Sequence, residues 1–172
     1  MKAIVAVTSD WGIGKDNNLL VSIPEDMKFF RETTKGCIVI MGRKTLESFP
    51  NGAPLKNRLN IVITRDTSYE KEGAVIVHSV EDAVAYANEV LEKTDDESGS
   101  MYRDCFVIGG ESIYKQALPY VDTALVTRMD VTVPADSFFP NLEEDEDFML
   151  FYSSEEKEHE GITYRFCTYK RK

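Results

Sequence analysis

The stretch CIVIMGRKT, residues 37–45, contains the pattern that decides the fold. Residues 37–41 are continuously apolar and rich in β-branched side chains, which predicts a strand that is covered on both faces. Gly42 ends this run, and the residues that follow, through Glu47, predict a short helix. A strand followed at once by a helix is the repeating unit of an α/β fold.

Similar apolar runs recur along the chain, and helical patterns lie between them. We predict further strands at residues 3–7, 60–64, 74–77, 105–108 and 123–129. We predict further helices at residues 22–34, 79–91 and 112–118. Two final strands, at residues 148–152 and 163–169, would flank a turn at Gly161 as an antiparallel edge hairpin. Together these elements predict one α/β domain over residues 1–172 with a largely parallel sheet.

Two helix starts carry local signals. Ser22-Ile23-Pro24-Glu25 has the spacing of a capping box, with proline in the first turn. Ser79-Val80-Glu81-Asp82 begins the helix at residues 79–91, whose apolar residues fall on one stripe.

The composition is that of a soluble globular protein, with 42% hydrophobic and 29% charged residues. No apolar run approaches the roughly 20 residues that a membrane span needs, and the N-terminus does not resemble a signal peptide. Cys37, Cys105 and Cys167 lie far apart, so we expect reduced thiols packed in strands. We therefore expect a cytoplasmic, monomeric protein without a metal site.

The net charge of −10 is unevenly distributed. Between Met41 and Arg65 five basic residues face one acid, a local charge of +4, so the rest of the chain sums to −14. Local potential steers ligands more than net charge does, and such a basic window favours an anionic ligand. A chance fluctuation or a solvated helix face is the alternative. Nucleic acid is not expected as a partner, because the basic residues do not extend beyond this window.

Asp26 lies at the edge of an apolar helix stripe. It shares a face with Phe30, whereas Lys28 points away. Burying a carboxylate is costly unless a partner compensates it, and burial would raise its pKa above about 3.9. A cationic or amidine-like ligand is one explanation. The other is that Glu25 and Asp26 only favour the helix dipole.

Several strand ends carry glycine, hydroxyl or basic residues. Gly42 precedes Arg43-Lys44-Thr45, Thr64-Arg65 ends another strand, and Gly109-Gly110 separates a strand from a helix. Glycine permits close approach of the backbone, and the free N–H groups of helix starts bind phosphate. These sites suit a phosphorylated nucleotide, although the G-x-G-x-x-G fingerprint is absent. Ordinary tight turns are the alternative.

Residues 10–18 form a glycine-rich loop that contains the only tryptophan, Trp11. Two glycines among polar residues predict a mobile lid rather than packed structure. A plain surface loop is the alternative.

Taken together, these segments resemble the dihydrofolate reductase family over nearly the whole chain. The motifs that carry the resemblance are Ile4-Val5-Ala6, Gly12-Ile13-Gly14, IPEDMKFF (23–30), MGRKT (41–45), PLKNR (54–58), NIVIT (60–64), IGGESIY (108–114) and DSFFP (136–140). The resemblance implies a mixed eight-stranded sheet, mostly parallel with an antiparallel C-terminal edge, flanked by helices. It implies NADPH-dependent reduction of 7,8-dihydrofolate to 5,6,7,8-tetrahydrofolate for one-carbon metabolism. Hydride would pass to pterin C6, and water would protonate N5.

The resemblance also assigns the substrate side of the site. Asp26 would bind N3 and the 2-amino group of the pterin, with support from Thr127. Arg58 would bind the α-carboxylate of the glutamate tail. Dihydrofolate and antifolate inhibitors would contact the remaining lining residues, which are Ile4, Val5, Ala6, Met27, Phe30, Phe49, Leu55, Ile108 and Tyr114.

The resemblance divides the cofactor residues into three groups. The adenosine end with its 2′-phosphate would be held by Arg43, Lys44, Thr64 and Arg65. The diphosphate would be held through backbone and hydroxyl groups by Thr45, Gly109, Gly110, Glu111, Ser112 and Ile113. The nicotinamide would be surrounded by Ala6, Ile13, Ile108 and Tyr114. Further cofactor-binding residues would be Gly14, Gly42 and Ile63.

Two positions depart from the family pattern. Leu20-Val21 stands where many members have Pro-Trp, and Val21 has no hydrogen-bond donor, so we expect altered hydration near Asp26. Ser112 stands where some members have an arginine for the 2′-phosphate. Two other functions remain possible: an NADPH-dependent pyrimidine reductase of riboflavin synthesis, and a nucleotide-binding regulator without catalysis.

Overall fold

The protein is described by a computed structural model covering residues 1–93 and 101–172. The acidic loop predicted at residues 94–100 lies outside the described residues. The strands are β1 Lys2–Val7, β2 Gly12–Lys15, β3 Asn18–Leu19, β4 Ile38–Gly42, β5 Leu59–Ile63, β6 Ala74–Val77, β7 Cys105–Gly109, β8 Thr123–Met129, β9 Ser137–Phe138, β10 Phe148–Ser153, β11 Lys157–His159 and β12 Ile162–Arg171. The helices are α1 Pro24–Thr34, α2 Arg43–Glu47, α3 Val80–Glu92 and α4 Glu111–Ala117.

The main sheet has the order β10-β12-β8-β1-β7-β4-β5-β6. From β8 to β6 every neighbouring pair is parallel, whereas β12 is antiparallel to both β8 and β10. The predicted eight-stranded mixed sheet with an antiparallel C-terminal edge is therefore confirmed. The predicted hairpin needs one correction, since the turn at Gly161 joins β12 to the short strand β11 rather than to β10.

Helices cover both faces of this sheet. One face carries the largest apolar cluster, which includes Val107 and Ala124 together with Ala83 and Ala87 of α3. The other face carries smaller clusters in which Phe29 and Phe30 of α1 pack near Ile4, and Leu46 of α2 packs near Met41. This second face, with α1 lying across it, carries the predicted pterin pocket.

The two predicted capping sites have different outcomes. Ser79 caps α3, because its side chain accepts a hydrogen bond from the Asp82 N–H at 3.0 Å. The capping box at Ser22 is wrong. Ile23 is the N-cap of α1 and forms no side-chain cap, while the Ser22 hydroxyl donates to the Met27 sulfur at 3.0 Å. Ile23 is buried in the core, and α1 begins at the next residue, Pro24.

Residues 10–18 are packed in part: Trp11, Gly12 and Gly14 are buried, whereas Asp10 and residues 15–18 are exposed. The prediction of a loop without packed structure is therefore wrong for the buried residues, and its mobility stays a prediction. Here β2 pairs with β3 and β9 in a second, three-stranded sheet. Trp11 is only 3% exposed and stacks on Phe139. Arg128 lies over its indole ring, 4.4 Å from the ring centroid.

The three cysteines are free and buried, as predicted. Among the described residues, no helix has the length and apolarity needed to cross a membrane.

Candidate active site

Asp26 lies in the first turn of α1, facing strand β8. The Thr127 hydroxyl donates to Asp26 Oδ1 at 2.6 Å, and Thr127 itself is buried. Within residues 1–93 and 101–172 no basic side chain forms an ion pair with Asp26. Burial therefore raises the pKa of the Asp26 carboxyl, and the hydrogen bond from Thr127 only partly offsets this effect. A half-buried carboxylate with one hydroxyl partner keeps acceptor capacity for a ligand.

Part of the predicted apolar lining comes together in two clusters that share one residue. Ile108 belongs both to the cluster with Ile4 and Phe30 and to the cluster with Phe49 and Leu55. These residues come from β1, α1 and β7 and from the segment after α2, so the pocket exists only in the folded chain.

Four predicted lining residues lie outside these two clusters, and one of them, Ala6, packs against Ile23, Met129 and Tyr164. The side chain of Val5 packs into the cluster on the other face of the sheet, because successive strand residues point to opposite faces. Tyr114 is 4% exposed, and its hydroxyl donates to the Ile4 carbonyl at 2.8 Å. Met27 is 49% exposed. Val5 is partly buried against the core and Tyr114 is buried within it, and the substrate contacts assigned to both residues stay predictions.

Arg58 is fixed against the C-terminal end of α1. Its Nε donates to Thr34 Oγ1 at 2.9 Å, and one terminal nitrogen donates to the Arg31 carbonyl at 3.2 Å. No acid pairs with it in the described part of the chain, and burial lowers the pKa of its guanidinium. A partly desolvated cation without a carboxylate partner suits an anionic ligand group.

The glycines at two strand ends form a cradle beside Thr45. A Cβ on Gly109 would lie 3.1 Å from Thr45 Oγ1, and a Cβ on Gly42 would lie 3.1 Å from Ile113 Cγ1. Gly109 also has a φ of 146°, which side-chain-bearing residues rarely adopt. The start of α4 has no side-chain cap, so its first N–H groups remain available to a phosphate.

We expect Gly109→Ala to weaken NADPH binding about tenfold or more, because the φ strain of about 1–3 kcal/mol would be relieved by displacing this turn. The measurement is NADPH affinity by fluorescence titration. Gly161→Ala is the matched control, since Gly161 has a φ of 82° but a Cβ added there would meet nothing within 4 Å. Equal NADPH affinity in both variants would contradict a cofactor cradle at Gly109.

The basic residues predicted for the adenosine end differ in their surroundings. Arg43 Nε lies 2.8 Å from Glu47 Oε1, and its NH1 lies 3.5 Å from Asp66 Oδ2. Lys44 and Arg65 are exposed. Thr64 is mostly buried, and its hydroxyl accepts from the Asp66 N–H at 3.2 Å. The charge of Arg43 is thus partly compensated, which leaves Lys44 and Arg65 as the more available cations.

Sequence reasoning missed several polar residues at the site. Asp66 lies one residue beyond the basic window, and His78 Nδ1 lies 2.8 Å from the Thr64 carbonyl oxygen. Glu111 was assigned to the diphosphate, yet its carboxylate accepts from the Phe138 N–H at 3.1 Å, so only its backbone faces the cradle. Phe138 belongs to the DSFFP motif at residues 136–140, and that motif was the indirect indication of this contact in the sequence.

A further unpredicted group adjoins Asp26. The Tyr164 hydroxyl donates to Glu25 Oε2 at 2.5 Å, and Lys157 Nζ lies 3.3 Å from Glu25 Oε1. Nothing in the local sequence indicates these contacts, because β11 and β12 lie more than a hundred residues after α1.

Comparison with known proteins identifies relatives along the whole chain. The family model described as dihydrofolate reductase matches residues 1–171. The dihydrofolate reductase of Bacillus subtilis is 37% identical over 98% of this chain and 93% of its own length. The bifunctional dihydrofolate reductase-thymidylate synthase of Glycine max is 38% identical over 99% of this chain, which spans only 33% of that protein. A solved structure of the Enterococcus faecalis dihydrofolate reductase with NADP(H) and RAB-propyl superposes with a TM-score of 0.83 at 29% identity, covering 99% of this chain and 95% of that one.

Proposed function

The chain belongs to the dihydrofolate reductase family, and from that premise we propose that it reduces 7,8-dihydrofolate to 5,6,7,8-tetrahydrofolate with NADPH. The observation that carries the proposal is Asp26, a half-buried carboxylate whose hydrogen-bonding partner among the described residues is the Thr127 hydroxyl. Amidine-like N–H groups on the pterin ring supply the donors that such a carboxylate needs.

The proposed roles follow from the positions of the side chains. Asp26 accepts hydrogen bonds from N3 and the 2-amino group of the pterin. Ile4, Phe30 and Ile108 supply apolar walls that exclude water from the ring. Because Asp26 holds the pterin edge that lies far from N5, it orients and polarises the ring, and water is the direct proton donor to N5.

The residues at the strand ends fit NADPH, because a side chain on Gly109 would crowd Thr45 and one on Gly42 would crowd Ile113, so the backbone at both positions stays bare. When bound, NADPH supplies the hydride for pterin C6. Gly109 and Gly110 let the diphosphate approach the main chain, and the free N–H groups at the start of α4 donate to it. The exposed cations Lys44 and Arg65 bind the 2′-phosphate together with Arg43.

The direct test is to follow NADPH oxidation by purified protein. We expect oxidation only when dihydrofolate is present. The pyrimidine reductase alternative is not favoured, since the matched family and relatives are dihydrofolate reductases. NADPH binding without turnover of dihydrofolate would instead favour the nucleotide-binding regulator.

Only the reductase activity is proposed, because this chain corresponds to a third of the bifunctional plant relatives. We propose that antifolate inhibitors occupy the pterin pocket at Asp26. We also propose that the protein acts as a monomer in the cytoplasm, a reducing compartment that agrees with its three free cysteines.

Replacing Arg65 with Ala is expected to lower the preference for NADPH over NADH by about tenfold, the size of one charge-assisted hydrogen bond. Arg43→Ala should have a smaller effect, because Glu47 and Asp66 already compensate its charge. The measurement is kcat/KM for both cofactors. Lys56→Ala is the control, as Lys56 belongs to the same basic window but lies beside Arg58. An unchanged ratio in Arg65→Ala would remove Arg65 from the 2′-phosphate site.

A further inference from the structure

The first turn of α1 is tied to two neighbouring strands through two adjacent acids. Asp26 accepts from Thr127 of β8 at 2.6 Å, and Glu25 accepts from Tyr164 of β12 at 2.5 Å. The two strands pair antiparallel, with Phe166 opposite Thr127 and Tyr164 opposite Met129. The two anchors are therefore held at a fixed spacing by the sheet itself.

Tyr164 is rigidly placed beneath the helix start. Its side chain is 3% exposed and belongs to the cluster with Ile23 and Met129, against which Val21 packs. Its ring meets Phe166 edge to face, with the ring centroids 5.8 Å apart. A phenol fixed in this way presents its hydroxyl to Glu25 in one orientation.

Lys157 completes this group from β11. Its ammonium lies 3.3 Å from Glu25 Oε1 and 3.6 Å from Glu155 Oε1. The hydrogen bond from Tyr164, more than the charge of Lys157, lowers the pKa of Glu25 and keeps it ionised. Burial and the bond to Glu25 raise the pKa of Tyr164 to about 12, so its hydroxyl remains a donor at neutral pH.

The first turn of α1 has little local support of its own. Pro24 has no N–H, and the N-cap residue Ile23 provides no side-chain acceptor. Besides the burial of Ile23 and the Ser22–Met27 hydrogen bond, this turn is held by the contacts of its two acids with the sheet, and Glu25–Tyr164 is the one directly beside Asp26.

We propose that Tyr164, acting through Glu25, is a positioning residue for Asp26, an inference that rests on the proposed dihydrofolate reductase function. Tyr164 holds the first turn of α1 at the depth where the Asp26 carboxylate meets both Thr127 and the pterin. Binding groups must be held within about 0.5 Å of their productive geometry to be effective. Loss of the Tyr164 hydroxyl would let this turn shift while leaving the cofactor cradle intact.

The test is steady-state kinetics of Tyr164→Phe, which removes the hydroxyl and preserves the ring. We expect KM for dihydrofolate to rise about fivefold to tenfold, less than the loss of a direct hydrogen bond to a charged group, because Tyr164 acts on the substrate only through Glu25 and Asp26. We expect kcat to fall about threefold, since the misplaced Asp26 also orients the ring less well. KM for NADPH should stay unchanged. Tyr120→Phe, at an exposed tyrosine between α4 and β8, is the matched control and should behave as wild type.

A second pair of variants keeps the test decisive if Tyr164→Phe folds poorly. Glu25→Gln retains an oxygen acceptor for Tyr164, whereas Glu25→Ala removes it, and this side chain is half exposed. We expect Glu25→Gln to keep near wild-type KM for dihydrofolate, and Glu25→Ala to reproduce the effect of Tyr164→Phe. The Tyr164→Phe/Glu25→Ala double variant should be no worse than either single variant.

The possible outcomes distinguish a failure of this inference from a failure of the proposed dihydrofolate reductase function. Wild-type KM for dihydrofolate in both Tyr164→Phe and Glu25→Ala would overturn the positioning role. Equal increases in KM for NADPH and for dihydrofolate would also overturn the positioning role, because they would indicate general structural damage. A wild-type protein without dihydrofolate-dependent NADPH oxidation would instead overturn the proposed function.

Discussion

Asp26→Asn is expected to lower kcat/KM for dihydrofolate by about 10²- to 10³-fold at neutral pH, while NADPH affinity stays unchanged. The carboxylate would accept two charge-assisted hydrogen bonds from the pterin, each contributing about 1.5–3 kcal/mol. The amide replaces one acceptor with a donor, which faces another donor on the pterin. Steady-state kinetics with dihydrofolate and a separate NADPH titration measure the two quantities.

The matched control is Asp82→Asn. Asp82 occupies the third position of α3, as Asp26 does in α1, but it is exposed on the surface. Both substitutions remove a similar interaction with the helix dipole, so a difference between them reports the pocket rather than the helix. Full activity in Asp26→Asn would exclude Asp26 as the pterin anchor.

Asp26→Asn is also expected to change the free energy of unfolding in a pH-dependent manner. Burial raises the pKa of Asp26 above its ordinary value of 3.8, so the folded protein binds this proton more tightly than the unfolded chain. The contribution of protonated Asp26 to the free energy of unfolding is fully present below pH 3.8, and it is lost as the pH rises through the raised pKa of the folded protein. We therefore expect Asp26→Asn to be more stable than wild type at neutral pH and to lose this advantage below about pH 4. Thermal unfolding as a function of pH measures the difference.

Arg58→Leu is expected to raise KM for dihydrofolate about 10²-fold. Its guanidinium would pair with the α-carboxylate of the glutamate tail, and losing such a charge pair costs about 2–3 kcal/mol. The Thr34 and Arg31 contacts hold the guanidinium before substrate arrives, so little ordering is needed on binding. Arg58→Lys should recover only part of the loss, because an ammonium cannot form the forked pair.

A substrate without the glutamate tail provides the control for Arg58. With a dihydropterin that lacks this tail, wild type and Arg58→Leu should have similar kcat/KM. Thr34→Val, which removes one acceptor of Arg58 without removing its charge, should have a much smaller effect. Equal losses with both substrates would show that Arg58 supports the end of α1 instead of binding the tail.

Local sequence patterns were sufficient for most of the elements. The predicted bounds of β6 and β8 agree with the structure, since continuous apolar runs bounded by polar residues define buried strands. The capping box at Ser22 is wrong because the Ser22 hydroxyl donates to the Met27 sulfur, and Ile23 is the N-cap instead. The packing of the glycine-rich loop was not predicted, because β9, which pairs with it, follows more than a hundred residues later.

The residues of the candidate site likewise divide into those that the sequence predicted and those that it did not. The sequence alone predicted that the backbone carries no side chain at Gly42 and Gly109. The structure adds that a Cβ at either position would crowd a neighbouring side chain. The resemblance to the family supplied Thr127 as the partner of Asp26. Neither the residue patterns nor the family resemblance predicted a contact of Tyr164, Lys157 or Asp66, because the partner of each lies on a distant segment of the chain.

The sequence by itself determined the alternation of strands and helices, the places where backbone can approach a ligand, and the position of Asp26 on an apolar helix face. Tertiary structure alone decided the charge partners that neither the residue patterns nor the family resemblance predicted. Glu25 meets Tyr164, and Arg43 meets Asp66. The physical reason is that strand order and register bring distant residues within hydrogen-bond distance, and a hydrogen bond depends on that distance and not on separation along the chain.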